Sequence, residues 1–421
     1  MSTQDRPQEP QDRKPPLADL VLAGDQQKEA QAITDFIFMA KDISNAYLVT
    51  TAAGDVMVNT GFMDNAQRTK SLLDPHRTGP LRTIILTQAH ADHYGGVPTM
   101  REAETKVIGE RRFVDTWRYF NDLAPYLARR SRKLWGTTIK RAANPPLPPE
   151  VVPDISVDRR YEFDLGGRRF ELISTPGGET LCSLALWMPR ERVVFTGNLF
   201  GPVFLSMPNL CTVRGDKPRS VLRYLSSLDT VRKLGAELLI TGHGEPIRGA
   251  ARIRGDLDQM HAAVSYVNDA TIAGMNAGKD VHTLMREIQL PAELKIGEFH
   301  GKVSWDVRAI WEEYSSWFHY DSTASLYGVP RSSIDADLAE LAGGAGALAD
   351  RARKKLHEGR PLEAIHLLDI ALGADASHRG ALAVKKETLE RLLRESGGTN
   401  LSETMWLRSE IAQVETALAK A

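Results

Sequence analysis

The stretch Thr87-Gln88-Ala89-His90-Ala91-Asp92-His93 is the part of the sequence that most strongly indicates a fold and a kind of site. Two histidines and an aspartate fall within four residues, shortly after the apolar run Ile84-Ile85-Leu86. Imidazole nitrogen and carboxylate oxygen are ligand atoms that zinc takes in proteins. Functional loops are positioned by the elements that precede them, so the pattern predicts a buried strand that ends in a metal-binding loop.

Short apolar runs on both sides of this loop predict an α/β chain. Residues 46–50 and 55–59 have the residue pattern of two strands on either side of the turn Ala53-Gly54. Leu222, Leu225 and Leu228 have helical spacing, which predicts a helix over residues 220–234. Further β-branched and apolar runs predict strands at residues 82–87, 168–173, 184–188, 192–196 and 237–241.

Composition limits the class of protein. A length of 421 residues favours two domains, and a formal net charge of −1 gives no general attraction to nucleic acid or to an anionic membrane. The two cysteines, Cys182 and Cys211, favour a reducing compartment over a disulfide framework. We find no apolar run long enough for a membrane span and no signal sequence, so we expect a cytoplasmic protein with a disordered polar leader over residues 1–30.

Two segments depart from the α/β pattern. Residues 111–143 combine arginines and lysine with aromatic residues, which predicts either an amphipathic helical hairpin with a solvated basic face or a cover that presents cations to an anionic substrate. From residue 335 onwards only helical periodicity remains, with Ala364, Leu368 and Ala371 on one face. Asn400 followed by Glu403 is typical of a capping box that begins the last helix.

Four loops that follow predicted strands carry polar or glycine-rich sequences. They are Q-A-H-A-D-H-Y-G-G at residues 88–96, S-T-P-G-G-E at 174–179, F-T-G-N at 195–198 and T-G-H-G at 241–244. Together with Asn59-Thr60-Gly61, this order resembles the metallo-β-lactamase superfamily over about residues 31–250. P-N-L-C-T-V-R-G at 208–215, G-K-V-S-W-D-V-R-A-I at 301–310 and Y-S-S-W-F at 314–318 are similar to the alkyl sulfatase branch.

The resemblance implies an αββα sandwich over residues 31–325, followed by an all-helical dimerisation domain over residues 326–421 and hence a homodimer. It implies a tight metal position at Asp92, His93 and His243. A second position would take His90 and Glu179, but it is altered, because Gln88 stands for a histidine and Asn198 for a bridging carboxylate. Long alkyl sulfatases also carry a C-terminal lipid-binding-like domain, which we do not expect here.

Chemistry favours unequal occupancy of the two positions. A neutral amide oxygen is a weaker zinc ligand than imidazole, and an asparagine cannot offset the repulsion between two dications. We therefore expect one tightly bound Zn²⁺ and a second that is weakly bound, with iron or manganese as alternatives.

The function implied is a metal-dependent hydrolase that uses a metal-bound hydroxide on a sulfate ester, with Asp92 orienting the hydroxide and Arg214 and Asn209 contacting the sulfate. A carboxylic ester, lactone or thioester is an alternative substrate. A binding protein that kept the fold and lost turnover is an alternative of another class. Near-neutral charge disfavours a nuclease. The remaining histidines, His300 among them, have no ligand residues beside them in the sequence and are not assigned to the site.

Overall fold

The computed structural model describes residues 15–136, 138 and 147–421. It divides into two compact units. The first, called the sheet unit, comprises residues 16–132 and 136–314; the second, called the helical unit, comprises residues 133–135 and 315–421. The predicted leader over residues 1–14 lies outside the described residues.

Two β-sheets form the centre of the sheet unit. The first is seven-stranded, with strands in chain order: β1 Gln31–Ala32, β2 Ile37–Ala40, β3 Ala46–Val49, β4 Asp55–Val58, β5 Leu81–Ile85, β6 Lys106–Glu110 and β7 Ile155–Val157. The second is six-stranded: β8 Arg160–Leu165, β9 Arg168–Ser174, β10 Leu184–Met188, β11 Val193–Gly197, β12 Leu238–Thr241 and β13 Ile247–Arg248.

Each sheet mixes strand directions. Strands β1 to β4 pair antiparallel and β4 to β7 pair parallel. In the second sheet only β11 and β12 are parallel. The strands predicted from the apolar runs are confirmed, whereas β1, β2, β6, β7, β8 and β13 were not predicted.

Helices cover both outer faces of the sheet pair. Those that lie wholly or mainly in the sheet unit are α1 Pro16–Leu22, α2 Ala66–Leu73, α3 Ala91–Tyr94, α4 Val97–Met100, α5 Phe113–Asp122, α6 Ala124–Trp135, α7 Val221–Arg232, α8 Ala250–Asn276, α9 Val281–Glu287 and α10 Val303–Ser315. Helix α1 falls inside the predicted leader, which is therefore wrong from Pro16 onwards, because Leu17, Ala18 and Val21 are buried.

The pleat of the strands sorts side chains into separate cores. Val56 and Val58 of β4 lie in the core between the sheets, with Phe170 and Phe195 of the second sheet. Met57, between them in sequence, packs on the opposite face. Helices α7, α8 and α10 bury the outer face of the second sheet. This layering confirms the predicted αββα sandwich.

The helical unit contains α11 Asp335–Leu341, α12 Ala345–His357, α13 Pro361–Ala374, α14 Arg379–Glu395 and α15 Leu401–Leu418. The face predicted from Ala364, Leu368 and Ala371 packs on α12 and α14. Asn400 Oδ1 accepts a hydrogen bond from Glu403 N at 3.2 Å, which confirms the predicted cap of the last helix.

Two further predictions concern the chain as a whole. Among the described residues, no helix has the length and hydropathy needed to cross a membrane. Cys182 and Cys211 are both free thiols, as expected from the low cysteine count.

Candidate metal centre

The first half of the site lies at the start of α3, directly after β5. His90 immediately precedes this short helix, and His93 is fully buried one turn further on. The Nδ1 atom of His93 lies 3.1 Å from Ser44 Oγ, and the same hydroxyl donates to Gly242 O. The same Nδ1 atom lies 3.0 Å from Asn59 Nδ2, so the hydrogen-bonding neighbours of this ring gather at Nδ1, while Nε2 faces Asp92.

Three ligand atoms converge here. One atom each from Asp92, His93 and His243 lies within 4.8 Å of the other two. Asp92 Oδ2 is 3.7 Å from His93 Nε2 and 3.9 Å from His243 Nε2. His93 Nε2 is buried with no hydrogen-bond partner among the described residues. An orphaned imidazole nitrogen beside a carboxylate is what a metal position requires, so these residues fit a divalent metal ion.

The protonation state of the two histidines suits ligation. Burial lowers the pKa of His93 to about 3. Burial also lowers the pKa of His243 to about 4, although the Asp92 carboxylate opposes that change. Both rings are therefore neutral at physiological pH, and a metal ion does not have to displace a proton from them.

Close backbone approach makes this convergence possible. A Cβ atom at Gly242 would collide with Asn198 Oδ1 and lie 2.9 Å from His93 Cε1. Glycine at this position therefore allows the loop after β12 to bring His243 against the loop after β5.

The second position is occupied by an amide–carboxylate network. Oε2 of Glu179 accepts from Gln88 Nε2 at 3.0 Å and from Asn198 Nδ2 at 2.8 Å. The same oxygen is 3.3 Å from His90 Nδ1. The structure thus gathers all four predicted residues, but the two amides donate to the carboxylate that a second metal would need. This set fits a metal ion less well than Asp92, His93 and His243 do.

His90 lies between two carboxylates. Its Nε2 atom is 3.9 Å from Asp216 Oδ2, on the side away from Glu179. Burial opposes the positive charge, yet Asp216 and Glu179 together outweigh it and raise the pKa of His90 to about 9. The two carboxylates therefore favour the protonated form of His90.

The loop at residues 208–219 supplies basic and amide groups. Asp216 Oδ2 lies 3.7 Å from Arg214 Nη2 and 3.7 Å from Arg219 Nη2. The side chain of Arg214 is 30% exposed, which leaves its guanidinium accessible to a ligand. Asn209 is buried, and its Nδ2 atom lies 3.0 Å from His300 Nε2.

Sequence reasoning missed several of the described residues near the site, among them Asp216, Arg219 and His300. His300 Nε2 lies 3.7 Å from Glu179 Oε1, and burial lowers the pKa of this histidine. The signal that could have found His300 is its place immediately before the alkyl sulfatase-like stretch at 301–310. Asp216 follows the similar stretch at 208–215 in the same way.

The basic, aromatic segment predicted to be a helical hairpin forms α5 and α6, as far as residue 136. Residues 137 and 139–146 lie outside the described part. Arg118, Arg129 and Arg132 are exposed, as a solvated face requires. Yet the Phe120 ring lies 5.0 Å from that of His90, so part of the hairpin adjoins the site.

Below the 208–219 loop lies a buried acid, Asp306, on α10. Its Oδ1 atom accepts from Leu210 N at 3.3 Å, and burial raises its pKa well above the ordinary value. An acid with a raised folded-state pKa contributes stability that is present below its unfolded pKa and lost as pH rises towards its folded pKa. Asp306→Asn keeps a carbonyl acceptor for Leu210 N and removes the ionisation.

We expect the melting temperature of Asp306→Asn, relative to wild type, to rise steadily as pH increases above about pH 4, by about 1 to 2 °C per pH unit. Thermal unfolding followed by circular dichroism measures it, with the exposed Asp25→Asn as the control. A difference that does not change with pH would show that Asp306 is not neutral in the folded protein.

Comparisons with known proteins agree with this geometry. Residues 40–243 match the model of the metallo-beta-lactamase superfamily, and residues 281–408 match that of the alkyl sulfatase dimerisation family. The chain therefore combines a metallo-beta-lactamase domain with an alkyl sulfatase dimerisation domain.

Its relatives in sequence are alkylsulfatases. A linear primary-alkylsulfatase from a Pseudomonas strain is 24% identical over 371 residues, which are 82% of this chain and 69% of that protein. An alkyl/aryl-sulfatase of Saccharomyces cerevisiae is 26% identical over 392 residues, 86% of this chain and 60% of that protein. The chain thus spans 60 to 69% of the length of these two relatives.

A solved structure shows the same fold. The stereoselective inverting sec-alkylsulfatase Pisa1 from Pseudomonas sp. superposes with a TM-score of 0.81 at 21% sequence identity. The match covers 92% of this chain and 65% of that one.

Proposed function

We propose that this chain is a metal-dependent hydrolase of sulfate esters. The observation that carries the proposal is the convergence of Asp92, His93 and His243 ligand atoms within 4.8 Å of one another. The alkylsulfatase relatives favour a sulfate ester over other substrates. Arg214 adds a partly exposed guanidinium, whose fork of donors matches two oxygens of a sulfate group.

Each residue has a role that its environment supports. A divalent metal ion held by Asp92, His93 and His243 would lower the pKa of bound water and polarise the ester. Asp92 remains 21% exposed and would orient the attacking water. Asn209 and the neutral His300 would donate hydrogen bonds to the sulfate, and Arg214 would balance its charge.

We infer that metal occupancy is unequal. Zn²⁺ suits the nitrogen and oxygen ligands of the Asp92, His93 and His243 position, with iron or manganese as alternatives. The position formed by Gln88, His90, Glu179 and Asn198 would bind a second ion weakly, because Glu179 already accepts hydrogen bonds from both amides.

We also infer that the protein is a homodimer. The alkyl sulfatase dimerisation family matches residues 281–408, and these residues include most of the C-terminal helices. The substrate would be a small anionic or ester compound, with no nucleic acid involved.

The test is a panel of substrates offered to the metal-loaded protein: an alkyl sulfate, an aryl sulfate, a carboxylic ester, a lactone and a thioester. We expect release of inorganic sulfate from a sulfate ester, and its loss after chelation and in the Asp92→Asn variant. Turnover of the carboxylic ester, lactone or thioester alone would replace the sulfate-ester proposal. Absence of all turnover would favour a binding protein.

A further inference from the structure

The loop that carries Arg214 is held at its centre by a helix distant in sequence. Arg130 lies on α6. Its Nε atom donates to Arg214 O at 2.5 Å, and its Nη2 atom donates to Val213 O at 2.9 Å. A single guanidinium therefore holds two consecutive carbonyl groups, which is the paired geometry that an arginine fork provides and a lysine ammonium does not.

The two hydrogen-bonded carbonyl groups restrict the backbone conformation of Arg214. They belong to the peptide units on either side of the Arg214 Cα atom, so fixing both restricts φ and ψ of this residue. At its other end, Arg214 is restrained by Asp216, because Nη2 of the arginine lies 3.7 Å from Oδ2 of the carboxylate. The backbone and the tip of the Arg214 side chain are thus both oriented before a ligand arrives.

Gly215 lets Arg130 come this close. Its φ angle of +94° is in the region that favours glycine, and a Cβ atom there would lie 3.2 Å from Arg130 Nε. The same Cβ would lie 3.6 Å from Tyr126 Cε1 on α6. The loop and the helix therefore fit each other through a residue without a side chain.

We propose that Arg130 is a positioning residue for Arg214. It fixes the loop so that the guanidinium of Arg214 is oriented for the anionic group of the substrate. Such preorganisation lowers the entropy lost on binding. The identity of that anionic group as a sulfate rests on the proposed function, whereas the hold of Arg130 on the loop does not.

The first experiment measures the loop and does not depend on activity. Hydrogen–deuterium exchange of residues 210–217 is compared in wild type, Arg130→Ala and Arg129→Ala. Arg129 is exposed on the same helix and is the matched control. We expect faster exchange in this segment for Arg130→Ala alone. Unchanged exchange in Arg130→Ala would overturn the proposal, even if the protein is an active sulfatase.

The second experiment is a double-mutant cycle on kcat/KM for a sulfate ester. We expect Arg130→Ala to lower kcat/KM about 10-fold when Arg214 is present. In an Arg214→Ala background the same substitution should lower kcat/KM less than about 2-fold, because the effects of contacting residues are not additive. Arg130→Lys should resemble Arg130→Ala, because it keeps the charge and loses the fork. Full activity in Arg130→Lys, or equal losses in both backgrounds, would overturn the positioning role.

The two experiments separate two kinds of failure. If no sulfate ester is turned over but exchange rises in Arg130→Ala, the hold on the loop stands and the proposed function fails. If sulfate esters are hydrolysed but the losses are additive, the proposed function stands and the role of Arg130 fails.

Discussion

Asp92→Asn is expected to abolish tight metal binding and, with it, hydrolysis. The carboxylate is the only anionic member of the group formed with His93 and His243. An asparagine would leave a neutral carbonyl in its place. Loss of an outer hydrogen-bonding partner of a metal site already costs about 10- to 100-fold in affinity, so loss of a ligand should cost more than about 100-fold.

The measurement is competition with a chromophoric chelator, alongside metal content after gel filtration and the rate of sulfate release. Asp25→Asn is the matched control, because this aspartate is exposed and distant in sequence from the site. If Asp92→Asn retained metal as tightly as wild type, the assignment of this residue as a ligand would be wrong.

Gln88→His combined with Asn198→Asp is expected to raise the retained metal from about one to about two equivalents per chain. Histidine would supply an imidazole nitrogen, and aspartate would supply the charge that offsets repulsion between two dications. Both substitutions also withdraw an amide donor from Glu179, which frees its Oε2 atom for an ion.

Metal content after dialysis distinguishes the variants, with each single substitution as a control. We expect neither single variant to reach two equivalents, because each leaves one amide on the Glu179 carboxylate. A wild-type protein that retains two equivalents after dialysis would contradict unequal occupancy.

Much of this architecture was accessible from sequence for a simple reason. Candidate ligands such as His90, Asp92 and His243 lie in the loops that follow apolar strands, and the residue types in those loops indicate metal chemistry by themselves. Some of the confirmed strands, such as β10 and β11, are buried on both sides, and their runs are almost entirely apolar.

What could not be predicted depends on tertiary packing. Exposed and half-buried residues alternate along strand β8, so its apolar signal in the sequence is weak. His300 has no ligand residue beside it in the sequence, and its contact with Glu179 spans 121 positions, a separation that no local pattern reports. The hydrogen bond from Arg130 Nε to Arg214 O likewise connects two residues that are 84 positions apart. The assignment of each site residue to a metal or catalytic role stays a prediction.

Glu179 couples the effects of substitutions at the residues around it. One carboxylate is shared by Gln88, Asn198 and His90, and it also faces His300. Residues joined in this way change stability and binding as a unit, so their substitutions are strongly epistatic. A single substitution at Gln88 or Asn198 removes one donor from the carboxylate and leaves the other in place, so its effect on metal binding should depend on which residue stands at the other position.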